Sequence, residues 1–318
     1  MDEGLRQGVV LRAHSGLCLV RSSGSTYRCR IRGRLKQGRR QAQTVVVVGD
    51  SVRFRRQGLR DRQMPTGVIE EVLPRRSKIS RRAARRTGGR VEQVLMANLD
   101  QVVVVQSVRD PAPQTGFVDR LLVAAEHFGV TGVLCLNKCD LEPAAAHHPL
   151  WEYYHQVGYD LLRTSAVTGL GLPDLQAVLQ DRISLLLGAS GVGKSALLNA
   201  LQPGLQLRVS SVGEKTGLGR HTTTRTELFP LAFGGFIADS PGLRGFDPWD
   251  IDPADLSRYF PDWQAVTAQC RFRSCLHRDE PDCGVKAAVA RGDIPELRYQ
   301  AYLAMLRDLQ EWAADPGK

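Results

Sequence analysis

The sequence predicts an α/β protein in three parts: a small five-stranded β-barrel, an open parallel sheet with helices on both faces, and a helical module organised around cysteine and histidine. Three observations carry that prediction. The first 90 residues hold 23 Lys and Arg against 6 Asp and Glu, whereas the rest hold 20 against 27. Between residues 101 and 239, apolar runs of strand length end in polar or glycine-rich loops. Cys270, Cys275, His277 and Cys283 fall within fourteen residues.

The basic first part is built of short strands. Val9-Val10-Leu11, Leu17-Cys18-Leu19-Val20 and Tyr27-Arg28-Cys29-Arg30-Ile31-Arg32 are separated by Gly/Ser turns, and residues 45–48, Val52-Arg53-Phe54 and Val68-Ile69 continue the series. In the third run arginines alternate with Tyr27, Cys29 and Ile31, so one face is apolar and the other positive. Such spacing suits an OB barrel, a common nucleic-acid platform. The charge asymmetry points to a polyanion partner; a solvated basic barrel without a ligand is the plainer alternative. Residues 75–90 hold eight basic residues and no acid, and read as a linker that orders on RNA. Few aromatics interleave the arginines, so phosphate contacts and steep salt dependence are expected, with little base reading. A membrane partner is disfavoured because the basic residues lie on strands and loops, with no amphipathic helix.

The sheet strands are expected at residues 101–108, 130–136, 158–162, 183–187 and on either side of Asp239. The second leads into Asn137-Lys138-Cys139-Asp140. Asp140 suits guanine, accepting from N1–H and the exocyclic amine. Adenine offers neither, and a site demanding a partner rejects the analogue lacking it by about 10⁴-fold or more. Asn137 would hold the loop and base edge, and the Lys138 stem would cover the base face. Leu161-Leu162-Arg163 leads into Thr164-Ser165-Ala166, where a backbone N–H meets guanine O6.

After Ile183-Ser184-Leu185-Leu186-Leu187 comes Gly188-Ala189-Ser190-Gly191-Val192-Gly193-Lys194-Ser195, and Ala196-Leu197-Leu198 begins a helix. Strand, Gly-x-x-x-x-Gly-Lys-Ser and helix together form a phosphate loop. Its backbone N–H groups and the helix N-terminus attract phosphate. Lys194 would reach the β- and γ-phosphates and Ser195 would ligate Mg²⁺. Phe236-Ile237-Ala238 runs into Asp239-Ser240-Pro241-Gly242, where Asp239 would hold Mg²⁺ through water and the Gly242 N–H would sense the γ-phosphate. Between them, Gly217-Leu218-Gly219-Arg220-His221-Thr222-Thr223-Thr224 has glycine hinges and three hydroxyls. Thr223 is the expected Mg²⁺ ligand; an edge strand is the alternative. Leu243 stands where Ras-like enzymes place a water-orienting glutamine. Hydrolysis is therefore slow, or His221 or a partner supplies the function; equally, His221 contacts only a neighbouring loop.

The guanine tetrapeptide precedes the phosphate loop, the reverse of the ordinary order. Joining the old termini through a helix at residues 171–179 leaves the parallel sheet intact, as close-lying termini permit. The loop that senses the γ-phosphate then feeds directly into the C-terminal part. There, Cys-x4-Cys-x-His-x5-Cys suits one tetrahedral Zn²⁺ with no position left for catalysis. Metal would replace a core in a segment poor in large apolar residues. Arg271, Arg273 and Arg278 add positive charge. The other cysteines, Cys18, Cys29, Cys135 and Cys139, read as unpaired and buried. A helix from Asp293 would have Leu297, Leu303 and Leu306 on its apolar side, and residues 315–318 would fray.

This motif order, with Gly219-Arg220-His221-Thr222-Thr223-Thr224 and Asp239-Ser240-Pro241-Gly242-Leu243-Arg244, resembles the RsgA/YjeQ family of circularly permuted GTPases over essentially the whole chain. The resemblance implies an OB-fold domain with basic linker at 1–86, a circularly permuted P-loop GTPase domain at 87–246 and a zinc-binding helical domain at 247–318. It implies a factor that binds the small ribosomal subunit and its rRNA, assists late maturation, and leaves on GTP hydrolysis accelerated by that subunit. An RNA-binding protein that uses GTP as a sensing ligand with little turnover is the rival. Seven cysteines and an acidic start at Met1-Asp2-Glu3 suggest a reducing cytoplasm and no export signal. No DNA or membrane partner is expected, and the chain reads as a monomer.

Overall fold

The computed structural model describes residues 4–33, 35, 45–57, 64–82, 92–205, 226–239 and 251–314. Strands β1 (Arg6–His14), β2 (Leu17–Ser22), β3 (Ser25–Ile31), β4 (Ser51–Gln57) and β5 (Thr66–Val72) close a barrel in the order β1-β2-β3-β5-β4. Alternation specifies its wall. Tyr27 and Cys29 face a core with Val10, Val20, Val52, Phe54 and Ile69, while Arg28 and Arg30 are exposed. The expected strand at residues 45–48 is instead a buried loop. Val46, Val47 and Val48 fill the interior without a ladder, Val48 making only a bridge to Met96.

The basic linker is also more ordered than its composition suggests. Lys78–Arg82 forms β6, which pairs antiparallel with β7 (Glu92–Ala97). Arg75 clamps the fully buried Asp50 through two hydrogen bonds of 2.7 and 2.9 Å. Asp50 also accepts from the Val47 N–H at 2.8 Å, which fixes the buried loop. Arg75 is therefore structural. The run lacks apolar periodicity because ion pairing and one ladder, rather than an amphipathic face, order it. Residues 83–91 lie outside the described residues.

A six-stranded sheet comprises β8 (Gln101–Ser107), β9 (Thr131–Asn137), β10 (Asp160–Arg163), β11 (Ile183–Leu187), β12 (Glu227–Pro230) and β13 (Phe236–Asp239), in the order β10-β9-β8-β11-β13-β12. β9 with β10 and β11 with β13 run parallel; β12 runs antiparallel to β13. β8 and β11 are buried along their full length and β9 along nearly all of its own, as continuous apolar runs covered on both faces require. Beyond the barrel, the described α-helices are α1 (Thr115–Phe128), α2 (Pro149–Val157), α3 (Leu172–Leu179), α4 (Lys194–Leu201), α5 (Gln264–Thr267), α6 (Gly284–Arg291) and α7 (Glu296–Ala314). Helix α3 is the join expected from the rearranged motif order.

The chain divides into two compact units, residues 1–101, 177–186 and 204–245 in one, and residues 102–176, 187–203 and 246–318 in the other. The second has an apolar core joining Val123 of α1 to Ile251, Leu256, Phe260, Trp263, Tyr302 and Leu306. Helix α7 departs from expectation. Leu297 is 54% exposed, and the buried stripe is Arg298, Ala301, Tyr302, Met305 and Leu306.

Candidate functional site: nucleotide loops and a Cys3His cluster

The nucleotide loops of the second unit emerge from buried strands. Asn137, the last residue of β9, is buried, and its Nδ2 donates to the Val192 carbonyl inside the phosphate loop at 2.9 Å. This explains a glycine. Gly193 has φ +96°, and a Cβ there would stand 2.3 Å from Asn137 Nδ2. The Asn137 amide thus fastens the base-reading loop to the phosphate-binding loop. Thr164 supports it from the other side, donating within 3.3 Å of Asn137 Oδ1 and 3.1 Å of the Leu136 carbonyl. The Cys139 N–H bonds the Thr164 carbonyl at 3.1 Å and its buried thiol contacts the Leu136 carbonyl at 3.3 Å. Cys139 is a structural plug.

Two groups are left facing outward. Asp140 is exposed and has no hydrogen-bond partner among the described residues. The Ser165 N–H is taken by the Leu170 carbonyl at 3.0 Å and the Ser165 hydroxyl receives the Thr168 N–H at 3.1 Å. Of the expected pair, Ala166 therefore has the free backbone donor. An exposed carboxylate and an uncommitted backbone N–H are the kinds of group that guanine N1–H and O6 require.

The phosphate loop follows β11. Gly191 (φ +84°) and Gly193 adopt left-handed backbone, and a Cβ at Gly188 would lie 2.2 Å from the Val105 carbonyl. Val192 is buried, Ser190 is exposed, and Lys194 and Ser195 open α4. Lys194 Nζ donates to the carbonyls of Gly188 and Ala189, each at 2.8 Å, so the ammonium lies across the mouth of the loop. Ala189 lies within the loop, and Ala196 is exposed in the first turn of α4. Asp239 ends β13. Residues 206–225, with His221 and Thr223, and residues 240–250, with Gly242 and Leu243, lie outside the described residues.

Sequence reasoning missed one wall of this site. Lys138 Nζ donates to the Asp110 carbonyl, and Pro111 Cδ lies 3.6 Å from the position of a Gly191 Cβ. The buried Ser107 hydroxyl holds the Pro111 carbonyl at 2.7 Å. Residues 108–114 thus brace both the guanine and phosphate loops; only the turn-forming Asp110-Pro111 hinted at them.

The Cys3His set converges as expected. The ligating atoms of Cys270, Cys275, His277 and Cys283 all lie within 4.8 Å of one another. His277 Nδ1 is 3.5 Å from both Cys270 Sγ and Cys283 Sγ, which are 4.0 Å apart. The Gly284 N–H points at Cys270 Sγ at 3.3 Å, as an amide supporting a thiolate would. Burial pushes the Cys275 thiol up to about 12 and lowers His277, so ionised sulfur here calls for a cation. Soft donors at this spacing fit tetrahedral zinc. The cluster does not replace a core, because Cys275 and Cys283 pack on Phe260, Trp263 and Tyr302.

A buried charge clamp, invisible in the motifs, ties this module to α1. Arg298 Nε and Nη2 bond Asp262 at 2.8 and 2.5 Å, and Nη1 bonds Asp119 at 2.5 Å. The Tyr154 and Tyr153 hydroxyls donate to Asp119 and Asp262 at 2.8 and 2.7 Å. The guanidinium also lies over the rings of Phe260 and Tyr154. Burial pushes the Asp119 carboxyl up to about 6 against the pull of Arg298 and Tyr154, and the neighbouring Asp262 charge adds a smaller push in the same direction.

Strand order, phosphate loop and guanine loop together define a circularly permuted GTPase. Family comparison agrees: the RsgA GTPase profile matches residues 72–249 and the RsgA N-terminal domain profile matches residues 7–61. The chain belongs to the RsgA GTPase family and is a GTP hydrolase acting on GTP with Mg²⁺. A Moorella thermoacetica relative, named small ribosomal subunit biogenesis GTPase RsgA, is 40% identical over 303 residues, 95% of this chain and 97% of its own. The Thermotoga petrophila protein of that name is 38% identical over 96% of this chain and 97% of its own. The crystal structure of YjeQ from Thermotoga maritima superposes with TM-score 0.76 at 35% identity, covering 96% of this chain and 99% of its own. YloQ, titled a circularly permuted GTPase, gives 0.72 at 28% identity, covering 97% and 96%.

Proposed function

We propose that this protein is a GTPase of small ribosomal subunit biogenesis, which binds the subunit and its rRNA, assists late maturation and is released by GTP hydrolysis. The single observation that carries the nucleotide half of this reading is the Asn137–Val192 hydrogen bond. It makes base recognition and phosphate binding one braced unit. The names of the relatives support the partner.

The roles follow from the geometry. Asp140 and the Ala166 N–H read guanine, while Asn137, Cys139, Thr164 and Ser165 hold them rigid. The phosphate loop presents its amides to the phosphates, and Lys194 exchanges its carbonyl contacts for β- and γ-oxygens. Ser195 would hold Mg²⁺, with Thr223, and Asp239 through water; the ion would neutralise charge developing on the phosphates. Gly242 would report the γ-phosphate, and His221 would position the attacking water when the particle supplies the right loop geometry. One Zn²⁺ on Cys270, Cys275, His277 and Cys283 would stabilise the module without touching the reaction.

The division into 1–86, 87–246 and 247–318 gives each task its own stretch of chain. The basic outer face of the barrel, with Arg28 and Arg30, suits the rRNA backbone. The protein would act as a monomer in the reducing cytoplasm, where its seven cysteines persist without disulfides. Among the described residues, no helix is long and apolar enough to cross a membrane. GTP turnover with and without purified small subunits is the test. Strong stimulation at low salt supports the reading; none would favour an RNA binder that uses GTP only as a sensing ligand. Ser195→Ala should abolish GTP-dependent association with the particle.

A further inference from the structure

The loop between the first two cysteines of the Cys3His cluster carries a side chain that the fold does not use. Phe272 is 43% exposed and lies outside the apolar cluster that packs the module. The loop beneath it is fixed. Cys270 and Cys275 anchor its ends, the Cys275 N–H bonds the Phe272 carbonyl at 3.3 Å, and the Arg271 N–H bonds the Asp282 carbonyl at 3.1 Å. An aromatic ring is thus held in water on a rigid turn, with little conformational entropy left to lose on contact.

Its neighbours are cationic. The Arg271 guanidinium lies 5.5 Å from the Phe272 ring centroid, with Asp282 as its 3.2 Å partner. Arg273 is exposed and has no partner among the described residues. Arg278, by contrast, is committed to Asp279 and Gln310. A presented aromatic face, an adjoining guanidinium plane and an uncommitted cation match the chemistry that takes an unpaired nucleobase and its phosphate. The uncommitted Arg273 one residue from the ring favours a polyanion over an apolar partner surface.

We propose that Phe272 stacks on an unpaired base of RNA, with Arg271 at the edge of the stack and Arg273 on an adjacent phosphate. The inference rests on the rRNA-binding reading above and adds a base contact to an interface otherwise expected to grip phosphates.

The test is binding of the full, zinc-loaded chain to purified small subunits and to a single-stranded RNA oligonucleotide over a series of salt concentrations. Phe272→Ala should weaken both by roughly 5- to 100-fold, the range of one base stack by alanine substitution. The slope of log affinity on log salt should stay unchanged, and Phe272→Trp should restore binding. Arg273→Ala should instead reduce that slope by about one. Unchanged affinity for Phe272→Ala, with parental binding intact, overturns the stack and leaves the rRNA reading standing. Weakened binding to the particle alone assigns Phe272 to a protein contact and overturns it too. Failure of the parent chain to bind either RNA removes both readings. Zinc content equal to the parent's confirms that each variant is folded.

Discussion

The nucleotide loops and the Cys3His module solve opposite problems with the same polar chemistry. Around the nucleotide loops, buried Asn137, Thr164 and Ser165 are satisfied within the protein, and Asp140 and the Ala166 N–H, the groups proposed to read guanine, are left uncommitted. In the module, Cys275, His277 and Cys283 are buried and their ligating atoms face inward. One set of groups is exposed and suits an exchanging ligand; the other is enclosed and suits a permanent one. Removing a recognition group from the first should cost binding with little stability. Removing a ligand from the second should cost structure, with catalysis following only through it.

The largest effect expected is loss of the closed site. Chelation, or Cys275→Ser, should release one equivalent of zinc and abolish the near-UV circular dichroism of Trp263 and Tyr302, since structural zinc is worth about 10 kcal/mol or more. Retention of that signal in metal-free protein would make the module's apolar core sufficient. Next is the clamp. Arg298→Met leaves Asp119 and Asp262 buried together without a counter-charge, which should cost about 3–5 kcal/mol in denaturant unfolding. Adding Asp119→Asn and Asp262→Asn should recover much of this; no recovery would mean that shape, rather than charge, holds the joint.

At the open site, Asp140→Asn should weaken GTP binding by about 100-fold or more while Tm moves little, because the carboxylate is exposed and makes no internal bond. A large fall in Tm would show Asp140 to be structural. The smallest effect is a pH dependence. The Asp119 carboxyl rises from 3.8 to about 6 on folding, so its contribution is fully present below pH 4 and is lost as pH climbs through 6. The Tm difference between Asp119→Asn and the parent should therefore move in the variant's favour from pH 4 to 7. A constant difference would show that Asp119 carries no such linkage.

How much of this the sequence revealed follows the same division. The phosphate-loop and guanine-loop patterns could be read because phosphate and guanine impose fixed residue types at fixed spacings, and the fold joins the two loops through Asn137 and Val192. The metal cluster was legible because four ligands lie within one short segment. The supports were not. Thr164 acts through a hydroxyl that many loop residues carry, and Asp110 and Pro111 offer backbone carbonyls, which any residue supplies. Arg298 occupies the buried stripe of α7, where a charged residue breaks the apolar period, so Leu297 was expected inside and is exposed, while Leu306 is buried and Leu303 packs against the core as expected. Asp119 and Asp262 lie 179 and 36 residues away in the chain, and only the fold brings them to Arg298. Residues 45–48 looked like a strand because four valines favour one; burial against Asp50 and Arg75 made them a loop.

The account as a whole requires that a triphosphate and a diphosphate be told apart by a particle that touches neither, and a ligand shifts an equilibrium only by its differential affinity for the two states. The most direct measurement is the affinity of the intact protein for purified small subunits in GDP and in a nonhydrolysable GTP analogue. Tighter binding with the analogue is the predicted result, and equal affinity in both nucleotides would contradict it.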